Sequence, residues 1–176
     1  MSQSAIGRPD GSEFAEYYTG YIGKVPGADI MSFLQSQLES TATLIRGIDD
    51  AKGGYRYAAS KWTIKELLGH IIDTERVFAY RALVFSRNDA TPLPGFDQEP
   101  WAKSANHANV PMTELAAEFE SVRRASICLF RNMAAEDWMR QGIGNNKKMT
   151  TRAAAYIIAG HTQHHLDILK ERYLGV

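Results

Sequence analysis

Cysteine is nearly missing from this chain: Cys128 stands alone among 176 residues. A single thiol excludes an intramolecular disulfide framework and suits a reducing compartment. It lies in Ile127-Cys128-Leu129-Phe130, where it reads as a small buried hydrophobe rather than a reactive group. Net charge is missing too, with Lys plus Arg and Asp plus Glu equal at 20 each. Without a basic excess there is no electrostatic footprint for nucleic acid or for an anionic membrane. No apolar run reaches the length of about 18 residues that spanning a bilayer demands. The stretch Met1 to Asp10 lacks the apolar region of a secretory signal, so a cytoplasmic protein is expected. Equally absent are a Gly-rich phosphate loop followed by Lys, a Gly-x-Ser-x-Gly elbow and a dinucleotide fingerprint.

What is present is helical periodicity over a length that suits one domain, residues 1–176. Residues 1–28 are broken by Pro9, Gly11, Gly20, Gly23, Pro26 and Gly27, yet carry Phe14, Tyr17, Tyr18 and Tyr21. They read as an N-terminal arm packed on the domain, with one helical turn. Phe33, Leu34, Leu38, Thr41, Leu44, Ile45 and Ile48 form one apolar stripe, which predicts a first helix over 29–48 capped by Asp29. Residues 49–54 read as a turn. Thr63 followed by Glu66 is a capping box, with Trp62 before it as a staple, and predicts a second helix reaching about Arg87. Residues 88–111 hold four of the six prolines, in a loop too long for a simple turn and of a length that crosses over the end of a bundle. A third helix opens near Thr113. Residues 139–149, with Gly142, Gly144 and Asn145-Asn146, read as a turn or short hairpin, and a fourth helix runs from about Thr150 to Tyr173. Four amphipathic helices with little strand signal predict an all-α four-helix bundle.

Histidine supplies the chemistry. His161 and His165 are four apart on the fourth helix, so they project from one face about 40° apart. Ile157, Ile158, Ile168 and Leu169 flank them. His70 holds a comparable place on the second helix. Neutral imidazoles from facing helices can close around a transition metal, and three protein ligands leave coordination positions open. The residues alone leave a second reading open: three core histidines, each with its own hydrogen-bond partner. Asp73, Glu75 and Arg81 are the candidate catalytic residues. Asp73 would orient water or act as a base, although an exposed helix carboxylate paired with Arg76 or a nearby Lys is the simpler reading. Glu75 would accept an imidazole N–H. Arg81 would bind an anionic substrate group, although a solvated arginine on the helix flank is the simpler reading. His107 falls in a polar loop and receives no role.

Several segments together resemble the DinB-like superfamily, the group of DinB and YfiT proteins. They are Trp62-Thr-Ile-Lys-Glu-Leu-Leu-Gly-His70, Asp73-Thr-Glu-Arg-Val-Phe-Ala-Tyr-Arg-Ala-Leu83, Thr91-Pro-Leu-Pro-Gly-Phe-Asp97 and Gly160-His161-Thr-Gln-His-His165, the last continuing through Arg172-Tyr173. The resemblance spans nearly the whole chain. It implies an up-down-down-up four-helix bundle with a long crossover, and a divalent metal, nickel or zinc, on His70, His161 and His165 but not His164. It also implies a hydrolase, or a transferase using a low-molecular-weight thiol, acting on a small electrophilic substrate, and a homodimer. The rival expectation is a non-catalytic metal-binding or dimeric interaction module whose bundle the metal stabilises.

Overall fold

The computed structural model describes residues 6–176. The helices are α1 (Thr19–Gly23), α2 (Ile30–Arg46), α3 (Asp50–Gly53), α4 (Ile64–Ser86), α5 (Gln98–Ser104), α6 (Met112–Arg131), α7 (Ala135–Met139) and α8 (Thr151–Ile168). A hairpin of β1 (Gln141–Gly144) and β2 (Lys147–Thr150) precedes α8, which continues into a wider π turn over Leu169–Leu174. No helix among the described residues is long and apolar enough to cross a membrane.

Local chemistry sets the helix starts. The Asp29 side chain accepts from Ser32 N at 3.0 Å, and the Thr150 hydroxyl accepts from Ala153 N at 3.1 Å. At α4 the capping box closes in both directions: Thr63 Oγ1 accepts from Glu66 N at 3.2 Å, and Glu66 Oε2 accepts from Thr63 N at 2.6 Å. The hairpin turns on Asn145 and Asn146, both at positive φ (53° and 57°), the backbone that a two-residue turn between twisted strands requires.

The four long helices pack as α2 on α6, α6 on α4, α4 on α8 and α8 on α2, so the consecutive helices α2 and α4 sit on a diagonal. Cross-helix contacts give the directions. Arg46 on α2 pairs with Glu120 on α6, while Gln37, earlier on α2, meets Arg123, later on α6; these two helices are antiparallel. Lys65 of α4 and Met112 of α6 both bind Asp50, and Glu75 of α4 binds Arg123, so α4 and α6 run the same way. His70 faces His161 while Trp62 meets Tyr173, which sets α8 against α4. The order is up, down, down, up, an all-α four-helix bundle.

This topology explains the long crossover. Two consecutive parallel helices leave the end of α4 and the start of α6 at opposite ends of the bundle, so residues 88–111 must run its length. They do so along α4: Leu93 bridges to Gly144, and His107 lies against α4 at Gly69. The segment is not bare loop as the prolines suggested. Asp97 caps α5 by accepting from Glu99 N at 3.1 Å. The turn expected over 49–54 contains the single helical turn α3, capped by Asp49.

The arm is tied down at both ends. Glu13 accepts from Thr150 Oγ1 at 2.8 Å and from Arg152 Nε at 2.7 Å, and Lys24 Nζ donates to Asp167 Oδ2 at 2.7 Å, while Arg8 holds the arm to itself by donating to the carbonyls of Ile22 and Val25, each at 2.6 Å. Between them α1 lies directly on α8. A Cβ built at Gly160 would stand 1.9 Å from the Tyr21 carbonyl oxygen, so only glycine lets the arm come this close.

The core combines Leu34, Leu38 and Ile45 from α2, Leu68, Ile71 and Phe85 from α4, Phe119 and Phe130 from α6, and Tyr156 and Ile157 from α8. Cys128 is not part of it. It is exposed, one residue after the buried Ile127, because a helix turns by about 100° per residue and only one phase of Ile-Cys-Leu-Phe faces inward.

Candidate metal centre

His70 leaves α4 two turns after its capped start, and His161 and His165 leave successive turns of the antiparallel α8. Their rings meet edge to face. His70 Nε2 lies 3.0 Å from His161 Nε2, and His165 Nε2 lies 3.1 Å from the same atom. All three ligand atoms fall within 4.8 Å of one another.

Hydrogen bonding cannot satisfy this arrangement. A ring nitrogen carries either one proton or one lone pair, so His161 Nε2 can satisfy one of its two neighbours and not both. A cation accepting three lone pairs would satisfy all of them. The spacing suits that role, since metal–nitrogen bonds of about 2.0–2.1 Å place adjacent ligand nitrogens about 3 Å apart. Protonation agrees. Burial lowers His70 to about 4. Burial, then the neighbouring His70 and His164, lowers His165 to about 3. Burial first, then His165, His70 and His164, holds His161 well below the usual histidine value. All three are therefore neutral near pH 7, the form that ligates.

His164 points elsewhere, its ring edge-on to Tyr21 at 5.3 Å between centroids. The Trp62 ring lies 4.9 Å from His70, so the residue expected as a helix staple also walls one side of the trio.

A cavity of about 450 Å³ lies beside the histidines, and His70 and His161 are among its lining residues. Tyr17, Tyr18 and Tyr21 of the arm form one wall, and Phe96, Asp97 and Gln98 of the crossover another. Asn145 and Lys147 of the hairpin, with Thr74, Phe78 and Arg81 of α4, complete the lining. The Tyr-rich composition of the arm and the Pro-Gly-Phe-Asp stretch were the sequence signals for these walls. Asn145, Lys147 and Thr74 carried none, because their roles depend on where the hairpin and α4 meet.

The other candidates part company. Asp73 is not among the lining residues; it pairs with Arg76 at 3.4 Å, and Arg76 reaches Glu118 of α6 at 2.8 Å. Glu75 is buried but serves no imidazole: its carboxylate takes Arg123 Nε at 2.8 and 3.0 Å. His165 Nδ1 is buried without a hydrogen-bond partner. Arg81 is not a solvated flank residue. It is 2% exposed and lines the cavity. The crossover and the hairpin close over it, which α4's own periodicity could not show.

The profile of the DinB superfamily matches residues 34–169. The chain belongs to the DinB superfamily. A protein of Oceanobacillus iheyensis named "Putative metal-dependent hydrolase" is 24% identical over 128 residues, covering 72% of this chain and 73% of that one. The solved structure of YfiT from Bacillus subtilis, described as a probable metal-dependent hydrolase with an unusual four-helix bundle topology, matches with a TM-score of 0.66. It covers 93% of this chain and 89% of its own at 15% identity, a likeness of fold.

Proposed function

We propose that this DinB superfamily member is a metal-dependent hydrolase, or a transferase using a low-molecular-weight thiol, acting on a small electrophilic substrate. A divalent transition ion, nickel or zinc, would be held by Nε2 of His70, His161 and His165. The observation that carries this reading is the convergence of three ring nitrogens that cannot satisfy one another, two of whose rings line a cavity. Such an ion, when bound, acidifies a coordinated water or thiol and polarises an electrophile.

The chain's own residues do the rest. His161 and His165, one turn apart on a single helix, hold their mutual angle, while His70 on the facing helix supplies the third direction. Three protein ligands would leave such an ion coordination positions free for water, thiol or substrate. Tyr21, Tyr18, Phe78, Phe96 and Ile157 surround the reacting volume with apolar surface, which strengthens electrostatic interactions within it. Asp97, the carboxylate on the cavity wall, is engaged as the cap of α5.

Elemental analysis of protein purified without an affinity tag tests the reading. About one equivalent of transition metal is expected in the wild type and much less in His161→Ala; wild type without stoichiometric metal would overturn it. A screen of hydrolysable substrates and thiol-plus-electrophile pairs then separates an enzyme from a metal-stabilised module. Activity is expected to vanish in His70→Ala while the helical circular dichroism persists.

A further inference from the structure

Arg81 is a cation placed in the interior without a counter-ion. It is 2% exposed, and no carboxylate lies within salt-bridge distance of it among the described residues. Its guanidinium offers five N–H donors. Nη2 donates to the Pro94 carbonyl at 3.0 Å, while Nε is buried with no partner. The group lies 4.8 Å over the Phe78 ring. Burial pulls its pKa down, partly offset by the adjacent Tyr18 phenol.

The surroundings hold this charge in place. A Cβ at Gly144 would stand 2.8 Å from Arg81 Nε and 3.0 Å from Cδ, so the hairpin backbone packs directly on the side chain. The Pro94 carbonyl holds the other side. An unpaired charge fixed in the interior is costly and pulls against stability. Arg81 also faces the cavity that begins at the histidines.

Along α4 the lining residues are His70, Thr74, Phe78 and Arg81, one stripe of a single helix. Thr74 Oγ1 is likewise buried without a partner. A rise of about 1.5 Å per residue sets the Cα atoms of His70 and Arg81 roughly 16 Å apart, and helical side chains lean back toward the N-terminus, so the guanidinium reaches part of that way. Lys147, on the hairpin, adds a second positive charge to the wall. Asp97 carries one opposing charge on the same lining, its Oδ1 accepting from Glu99 N, so the two cations outnumber it.

We infer that Arg81 is the anion-binding end of the substrate cavity, and that the substrate is a small molecule with a carboxylate or phosphate oxyanion at one end and its reacting group at the histidine end. Its middle is apolar, to match Phe78, Phe96 and Ile157. This rests on the metal-dependent reading for the reacting end only.

The test is calorimetric titration of metal-stripped and metal-loaded protein with butyrate, propyl phosphate and the neutral butyramide. Wild type is expected to bind one or both anions at least 10-fold more tightly than butyramide, whether or not metal is present. Comparing the two anions decides which oxyanion the site takes. Arg81→Met should weaken anion binding about 10- to 100-fold, the equivalent of a lost charge-assisted hydrogen bond. It should leave the melting temperature unchanged or raised, because an uncompensated buried charge is gone. Gly144→Ala, which crowds the guanidinium without removing it, should weaken the same binding and serves if Arg81→Met misfolds. Equal affinity for butyrate, propyl phosphate and butyramide, or anion affinity unchanged in Arg81→Met, overturns the inference. So does anion binding that requires metal and disappears in His161→Ala, since the anion would then sit on the ion. Failure to find metal while Arg81-dependent anion binding persists would defeat the metal-dependent reading and leave this one standing.

Discussion

Two polar clusters cross the core of this bundle little more than a turn apart on α4, and they are built on opposite principles. One is centred on Arg123, which is 0% exposed. It draws on all four long helices: Arg123 of α6 binds Glu75 of α4, Gln37 Oε1 of α2 at 2.8 Å and Thr162 Oγ1 of α8 at 3.1 Å. Gln37 passes the network on to the Ala159 carbonyl at 3.0 Å. Charge meets countercharge, and each of these donors has an acceptor. The other cluster sets His70 against His161 and His165, with nitrogens that cannot all be partnered and His165 Nδ1 unpaired behind them. A buried polar group is stable when its partners are in the protein. The first cluster therefore finishes its own accounting and holds the helices in register, while the second has ring nitrogens that no group among the described residues satisfies. Residue type alone does not show this: a buried glutamate on a histidine-bearing helix looks available, and the carboxylate of this one is paired with Arg123.

The comparison can be broken hardest at the first cluster. Arg123→Met leaves Glu75 as an uncompensated buried charge and should cost about 3–5 kcal/mol in urea unfolding. Adding Glu75→Leu should recover much of that loss, which a role for Glu75 at the histidines would not predict. The second cluster should respond to ligand rather than to truncation. Added nickel or zinc at about 100 times its dissociation constant should stabilise metal-free wild type by about 2.7 kcal/mol, raising the melting temperature, and should do nothing for His165→Ala.

Acid gives a gentler distinction. Burial keeps His70 at about 4 and His165 at about 3 in the folded chain, below the unfolded value of about 6.5. As pH falls the unfolded chain therefore takes up protons first. Stability of the metal-free protein should be full above about pH 7 and decline as pH drops through 6.5 toward 4. His165→Ala should flatten that decline between pH 7 and 6; an unchanged slope would mean these rings are not held neutral by burial. The smallest effect concerns the helix that carries both clusters. Thr63→Ala removes half of the capping box and should cost about 1 kcal/mol by denaturant unfolding, without changing metal stoichiometry.

Much of the bundle can be read along the chain because it depends on neighbours in sequence. Thr63 and Glu66 are three apart, Asn145 and Asn146 are adjacent, and His161 and His165 share a helix face at four; no distant residue is needed to place these caps, turns and faces, although what the histidine pair does depends on His70, 91 positions away. The apolar stripes likewise announce four helices, and the long proline-rich stretch after α4 announces a crossover. What sequence alone leaves open is anything set by a partner far along the chain. Glu75 and Arg123 are 48 positions apart, so nothing near Glu75 says that its carboxylate is already taken. Arg81 has the spacing of a solvated flank residue until Gly144 and Pro94 close over it. Cys128 sits in an apolar run whose inward phase only packing selects. Periodicity, caps, turns and the histidine spacing were determined by the sequence itself, because short-range sterics and hydrogen bonds decide them. Which buried groups are satisfied, and which wait for a ligand, was decided by the tertiary structure, because satisfaction belongs to pairs of groups that only folding brings within 3 Å.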